Sequence, residues 1–135
     1  LRDSATRGIN RDAFRMLLER DVERTYDVVA RLSEDGSGRM RVGLVGIYLR
    51  GAPLARIAEF YERVFERMEL NEMARTSIYH GLPFDLSPRV EAGKKRKEDA
   101  RALLAWLKRR AEIEPDKVRP FVQSKIDSLE KAING

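Results

Sequence analysis

The 135-residue sequence contains no cysteine and a single histidine, His80. Without cysteine the chain can form neither a disulfide nor a thiolate metal site, and it has no cysteine nucleophile. One histidine cannot supply a histidine-rich metal centre. The sequence also lacks the GxSxG, HExxH and calcium-loop motifs, and Gly43 is followed by Leu44 where a phosphate-binding loop needs lysine. These absences exclude several classes of enzyme, and no cofactor is expected.

Long hydrophobic runs are absent as well. No apolar segment approaches the roughly 20 residues that a membrane-spanning helix requires, and no signal-peptide pattern opens the sequence. We therefore expect a cytoplasmic protein without membrane contact. Residue 1 is leucine, which is consistent with a domain taken from a longer chain. Hydrophobic residues make up 42% of the sequence and charged residues 36%, which indicates a folded domain with a charge-rich helical surface.

Apolar residues recur at helical spacing along most of the sequence, which predicts an all-α fold. The first helix should begin at the N-cap Asn10, carry one continuous apolar stripe from Phe14 to Leu32, and end at the turn cluster 36–38. Residues 40–49 include β-branched side chains typical of a strand. Since no second strand-like run is available for pairing, a short buried helix is favoured there.

Three further helices are predicted in the rest of the chain. Pro53 suits the first turn of a helix that runs on, or restarts after Asn71, and stops near Gly81. A fourth helix presents Ala100, Leu103, Leu104, Leu107 and Ala111 on one face, and Pro115 opens a fifth. The prediction is a four- to five-helix bundle, mostly antiparallel, forming one domain over 1–135. Segment 81–89 is the best linker candidate and would separate sub-units 1–81 and 90–135.

Positive charge is concentrated in the C-terminal third, where residues 89–135 hold thirteen basic and eight acidic residues. At about 100° per residue, Lys94, Lys97, Arg101 and Lys108 form one stripe on the fourth helix. Such a stripe can contact successive phosphates of RNA or DNA without reading the base sequence. The candidate nucleic-acid-binding residues are Lys94, Lys97, Arg101, Trp106, Lys108, Arg109 and Arg110, with Trp106 placed to stack on a base. The alternative is a solvated helix surface, with Trp106 packed against a neighbouring helix.

A carboxylate interrupts the apolar stripe of the first predicted helix. On a continuous helix Asp21 projects from the middle of that stripe, and a buried carboxylate is costly unless it is paired or binds metal. Asp21 is therefore expected either to form an ion pair or hydrogen bond with another helix, or to serve a metal or catalytic site.

Two segments, LLERDVERTYDVVAR (17–31) and LARIAEFYERV (54–64), resemble the PhoU-type phosphate-uptake regulators. These are three-helix bundles in which a Glu-x-x-x-Asp pattern binds metal clusters. Glu23 and Asp27 match the pattern in the first segment, while Ala55 and Glu59 occupy its two positions in the second. The resemblance implies a regulatory bundle that acts through protein contacts, with Asp21, Glu23, Asp27 and Glu59 as metal-ligand candidates.

The segment from Arg75 to His80 resembles the Arg-x₄₋₆-His motif of HEPN-type helical ribonucleases. In that family the imidazole and guanidinium groups of a dimer activate a ribose 2′-hydroxyl and stabilise phosphate charge without metal. The resemblance implies Arg75 and His80 as catalytic candidates. The alternative is a helix-end histidine that interacts with the last carbonyl groups.

Three functions follow, in order of preference. The first is a non-enzymatic subunit or adaptor of a larger assembly that binds the RNA or DNA backbone through 94–110. The second is a PhoU-like regulatory bundle, and the third is a HEPN-like endoribonuclease. A protein partner or a homo-oligomer is compatible with each of them.

Overall fold

The computed structural model describes residues 12–34, 42–82 and 94–134, and within these ranges the regular secondary structure is helical throughout. The all-α prediction is confirmed. In chain order the helices are α1 (12–20), α2 (Val22–Glu34), the 3-10 helix η1 (Val42–Tyr48), α3 (Leu54–Arg67), α4 (Glu72–His80), α5 (Lys94–Ile113) and α6 (Arg119–Asn134). The predicted N-cap Asn10, the turn cluster 36–38 and most of the linker 81–89 lie outside the described residues.

The predicted first helix is interrupted at Asp21, which ends α1 and caps α2. Its Oδ1 accepts a hydrogen bond from the Arg24 amide at 3.1 Å, and its carbonyl accepts from the Thr25 amide and hydroxyl at 3.1 and 2.9 Å. The prediction that Asp21 projects into the core is wrong, because the side chain is exposed. Aspartate competes for nearby backbone amides and so favours a cap over a helix interior, which a helical projection ignores.

Replacing Asp21 with alanine should therefore destabilise the protein by about 1 kcal/mol, the usual cost of losing an N-cap. Urea unfolding would measure this loss. Asp27, exposed in the middle of α2, gives the matched control, since Asp27→Ala improves helix propensity and should cost nothing. A melting temperature that rises with divalent metal in the wild type, but not in Asp21→Ala, would contradict the capping role.

In the middle of the chain the helices begin and end near the residues that the sequence predicted. Residues 42–48 form a helix, as favoured over a strand, and it is of the 3-10 type. Pro53 directly precedes α3, and the helical stripe restarts at Asn71, whose Oδ1 accepts from the Ala74 amide at 2.8 Å to cap α4. Gly81 follows the last residue of α4, and its amide donates a hydrogen bond to the Ser77 carbonyl at 2.9 Å. Between η1 and α3, Gly51 turns the chain at a φ of 89°, which favours glycine.

One cluster of buried apolar side chains extends from Phe14 in α1 to Leu129 in α6. α5 packs against both α3 and α6, and α4 packs against η1 and α6. A turn at 116–118 follows Pro115, so the last helix begins at Arg119 and not at Pro115 as predicted, and Pro120 falls in its first turn, where proline is tolerated. The position of α5 between two helices decides which of its side chains reach solvent.

Candidate functional site

Among the α5 side chains that the structure describes, four basic ones are exposed, namely Lys97, Arg101, Lys108 and Arg109, and we call them the cationic face. Lys97, Arg101 and Lys108 lie within about 40° of one another around the helix axis, and Arg109 lies roughly 100° from Lys108. Over the eleven residues from Lys97 to Lys108 the face is about 16 Å long. The side chain of Lys94, the remaining member of the predicted stripe, lies outside the described part of the structure.

Apolar side chains lie next to these cations. The exposed Ala105 lies about 40° around α5 from both Arg101 and Arg109, and the half-buried Leu104 lies between Arg101 and Lys108. The exposed carboxylates Glu98 and Glu112 lie towards either end of this surface. Residues 100–111 contain no acidic residue, and the centre of the cationic face is therefore purely basic.

The cationic face has few counter-charges, whereas seven arginines outside it form ion pairs within the described residues. Ion pairs within 4.0 Å engage a set of arginines elsewhere, namely Arg15, Arg56, Arg63, Arg67, Arg75, Arg110 and Arg119. Within the described ranges Lys97, Arg101 and Arg109 form no ion pair, and Lys108 forms a loose one with Glu130 of α6 at 3.7 Å. Three of the four cations are thus available to an external anion.

Two predicted nucleic-acid-binding residues point the other way. Trp106 is only 1% exposed and lies among Tyr61, Phe65 and Tyr79, with ring centroids 5.8–6.1 Å apart. Arg110 is also turned inwards, with its guanidinium 4.2 Å above the centre of the Phe65 ring. Both assignments are corrected, because α5 directs these two positions at the α3–α4 aromatic cluster. The alternative interpretation of Trp106, packing against a neighbouring helix, is the one observed.

A buried carboxylate lies beside this aromatic cluster and links the end of α5 to α4. Glu114, 1% exposed, accepts at Oε1 from Arg75 at 2.6 Å and from Arg110 at 3.1 Å. Arg110 also donates to the Tyr79 hydroxyl at 3.1 Å, and Arg119 donates to the Glu114 carbonyl at 2.8 Å. Burial raises the pKa of Tyr79, which keeps its hydroxyl protonated. We call Glu114, Arg75, Arg110 and Tyr79 the Glu114 cluster. The cluster links α4 to the end of α5, and Arg119 adds a contact from α6.

The two residues of the HEPN-like motif are not brought to one place. Arg75 belongs to the Glu114 cluster and also donates to the Leu70 carbonyl at 3.1 Å. His80 is exposed in the last turn of α4, about 140° round the helix from Arg75. Within one chain, therefore, a shared substrate could not meet both side chains on the same face of α4.

The metal-ligand candidates are also dispersed. Asp21 caps α2, Asp27 is exposed, Glu23 pairs with Arg63 and Arg67, and Glu59 pairs with Arg56 at 3.0 Å. Among the described residues no group of three or more carboxylate or histidine side chains is arranged to hold a metal ion. The PhoU-like positions thus form ion pairs with arginines or face solvent.

The Glu23 carboxylate accepts hydrogen bonds from both Arg67 and Arg63, which link α2 to α3. These bonds, with that of Arg67 the strongest, lower the pKa of Glu23 to about 2. A carboxyl group with a depressed folded-state pKa stabilises the fold above its unfolded pKa of about 4.5, and this stabilisation is lost as the pH falls towards 2.

We accordingly expect Glu23→Gln to lower the free energy of unfolding by a constant amount above pH 4.5, and by progressively less between pH 4.5 and pH 2. Urea unfolding across this range would show the convergence of the two proteins. In a background that carries Arg63→Gln and Arg67→Gln, the same substitution should have no pH-dependent effect. A difference that stays constant down to pH 2 would contradict the ion-pair assignment.

Sequence reasoning did not identify Glu114. A signal for it was present, because Glu114 follows Leu107 by seven residues and Leu103 by eleven, on the same side of α5. An acidic residue on the apolar face of a helix end requires a basic partner. Arg110, one turn earlier on α5, is a basic residue within reach of Glu114.

No protein-family model matches this chain, and neither the curated proteins nor the solved structures contain a match. Among the described helices, none has the length and apolarity needed to span a bilayer. Function must therefore be argued from the exposed chemistry of α5.

Proposed function

We propose that this protein binds nucleic acid non-enzymatically, through phosphate contacts along the cationic face of α5. The observation that carries the proposal is the set of cations without acidic partners on the exposed side of α5, Lys97, Arg101 and Arg109. Each phosphate neutralised by such a cation releases condensed counterions, and this release provides most of the sequence-independent affinity for a polyanion.

The packing of α5 favours backbone contacts over base recognition. A helix that reads bases enters the major groove, which is about 12 Å wide and accepts a helix roughly 10–12 Å in diameter. α5 is held between α3 and α6, so only one side of it is exposed. Such a surface can lie against the sugar–phosphate backbone and contact successive phosphates. Binding should therefore be independent of sequence.

Neutralising the four cations should weaken binding strongly. The variant carries Lys97→Gln, Arg101→Gln, Lys108→Gln and Arg109→Gln, and glutamine keeps the helix propensity of the originals. Each lost contact should reduce affinity for duplex DNA by roughly tenfold at 0.1 M salt and reduce the slope of log K against log salt by about 1. Fluorescence anisotropy with a labelled duplex over a series of salt concentrations measures both quantities.

The matched control carries four glutamines at exposed cations elsewhere, Arg20, Arg24, Arg31 and Lys117, none of which forms an ion pair within the described ranges. It has the same net charge as the test variant and should retain the wild-type slope. Equal losses in the two variants would show that net charge, and not the cationic face, determines binding. Equal competition by polyglutamate and by nucleic acid of the same charge would instead indicate an acidic protein partner.

A further inference from the structure

We infer that the cationic face selects double-stranded over single-stranded nucleic acid. This inference rests on the proposed function and specifies its substrate class. Proteins that bind single strands combine a basic groove with exposed aromatic side chains on which the bases stack. The structure provides exposed basic side chains on α5, and the tryptophan of that helix is buried.

The aromatic side chain on α5 is withdrawn from the binding surface. Trp106 stacks on Tyr61, with the ring planes 24° apart, and it also packs against Phe65 and Tyr79. At 1% exposure its indole cannot reach a base unless the α3–α5 interface opens. The tryptophan that would mark a single-strand site in the sequence is thus part of the core.

Aromatic residues on other elements do not replace it. Among the described residues the exposed aromatic is Phe121, which is 39% exposed in the first turn of α6. Phe121 lies about 180° around α6 from Glu130, the residue whose carboxylate contacts Lys108 of the cationic face. Phe121 therefore lies on the side of α6 away from the cations. The half-buried Tyr48 belongs to η1, which does not pack on α5. Phe65 of α3 is also half-buried, but its ring is covered by the Arg110 guanidinium and packs on Trp106 and Tyr79.

The remaining chemistry of the face suits a rigid, highly charged rod. Duplex DNA carries one negative charge per roughly 1.7 Å of its axis, and it releases more counterions per contact than a single strand does. Lys97, Arg101 and Lys108 form one row about 16 Å long, with Arg109 beside it, so a rigid backbone can contact the row along its length. The cationic face thus supplies phosphate contacts alone, and the duplex is the form that gains more from each of them.

The size of the preference follows from the salt dependence. For four phosphate contacts the slope of log K against log salt is about −3.6 with a duplex and −2.8 with a single strand. If the two forms bind equally at 1 M salt, the duplex binds about sixfold more tightly at 0.1 M.

The test compares the full chain on a labelled 20-base-pair duplex and on a labelled oligothymidine of 20 nucleotides, by anisotropy at several salt concentrations. The expected result is tighter duplex binding by about sixfold at 0.1 M salt and the steeper slope. Phe121→Ala is the control, and it should change neither affinity.

Oligothymidine binding equal to or tighter than duplex binding would overturn the duplex inference, while sensitivity of both to the four glutamines would leave the proposed function standing. A loss of single-strand affinity in Phe121→Ala would likewise overturn the inference, because it would reveal a stacking contact. If neither oligonucleotide binds at low salt, the proposed function fails and the inference fails with it.

Discussion

Glu114→Gln should destabilise the protein by about 3 kcal/mol, as removal of one partner from a buried ion pair does. The substitution leaves two guanidinium groups beside each other without a counter-charge, one of them on Arg110, whose side chain is only 13% exposed. Arg75 is 28% exposed and can recover part of its hydration, which places the expected loss at the low end of the usual range. Urea unfolding at neutral pH provides the measurement.

The control for this prediction is an ion pair of the same type on the surface. Glu59 contacts Arg56 at 3.0 Å with both side chains 46% exposed, so Glu59→Gln should cost less than about 1 kcal/mol. The two variants share the same chemical change and differ in burial. A Glu114→Gln loss no larger than that of Glu59→Gln would mean that solvent reaches the Glu114 cluster.

A double variant tests whether the loss of stability in Glu114→Gln comes from the uncompensated guanidinium charges. When Arg75→Met accompanies Glu114→Gln, one of the two uncompensated guanidinium groups is removed. The double variant should then be less destabilised than the sum of the single variants. Strict additivity would indicate that Arg75 and Glu114 do not interact.

The sequence predicted the helices and most of their ends because local signals determine them. Asn71 and Gly81 delimit α4 as cap residues do, and Pro53 marks the start of α3. The described residues form seven helices where four or five were predicted, because Asp21 divides the first predicted helix and the helix after Pro53 restarts at Asn71. The hydrophobic pattern does not reveal the break at Asp21, because α1 and α2 both contribute apolar side chains to the same core.

The candidate site was less predictable because it depends on which helices flank α5. Helical spacing correctly grouped Lys97, Arg101 and Lys108 on one side, since that grouping needs only the geometry of a single helix. Whether Arg110 faces solvent depends on where α3 and α4 lie. The same reason accounts for Trp106, whose place in the sequence suits both a base-stacking residue and a core residue.

Trp106→Ala should be among the most destabilising substitutions in the chain, at about 3–5 kcal/mol. The indole fills the space between α5 and α3 and contacts three other aromatic rings, so truncation leaves a cavity that rigid neighbours cannot close. Since domains of this kind are stable by only about 5–15 kcal/mol, we expect the variant to keep only a small part of its stability at 25 °C. Urea unfolding quantifies the loss, and Trp106→Phe, which keeps a ring in place, should lose clearly less.

The same residue separates a structural role from a role in binding. Trp106→Leu removes the aromatic ring while filling much of its volume, and its folded fraction should bind duplex DNA with wild-type affinity. A variant of a base-stacking tryptophan would instead lose about 1–3 kcal/mol of binding free energy.

Because Trp106 is the only tryptophan, its fluorescence reports on this position alone. Quenching by acrylamide should be weak and unchanged on addition of the duplex, since an indole that is 1% exposed has no surface for nucleic acid to cover. Protection from acrylamide on binding would place Trp106 at the interface and contradict its position in the core.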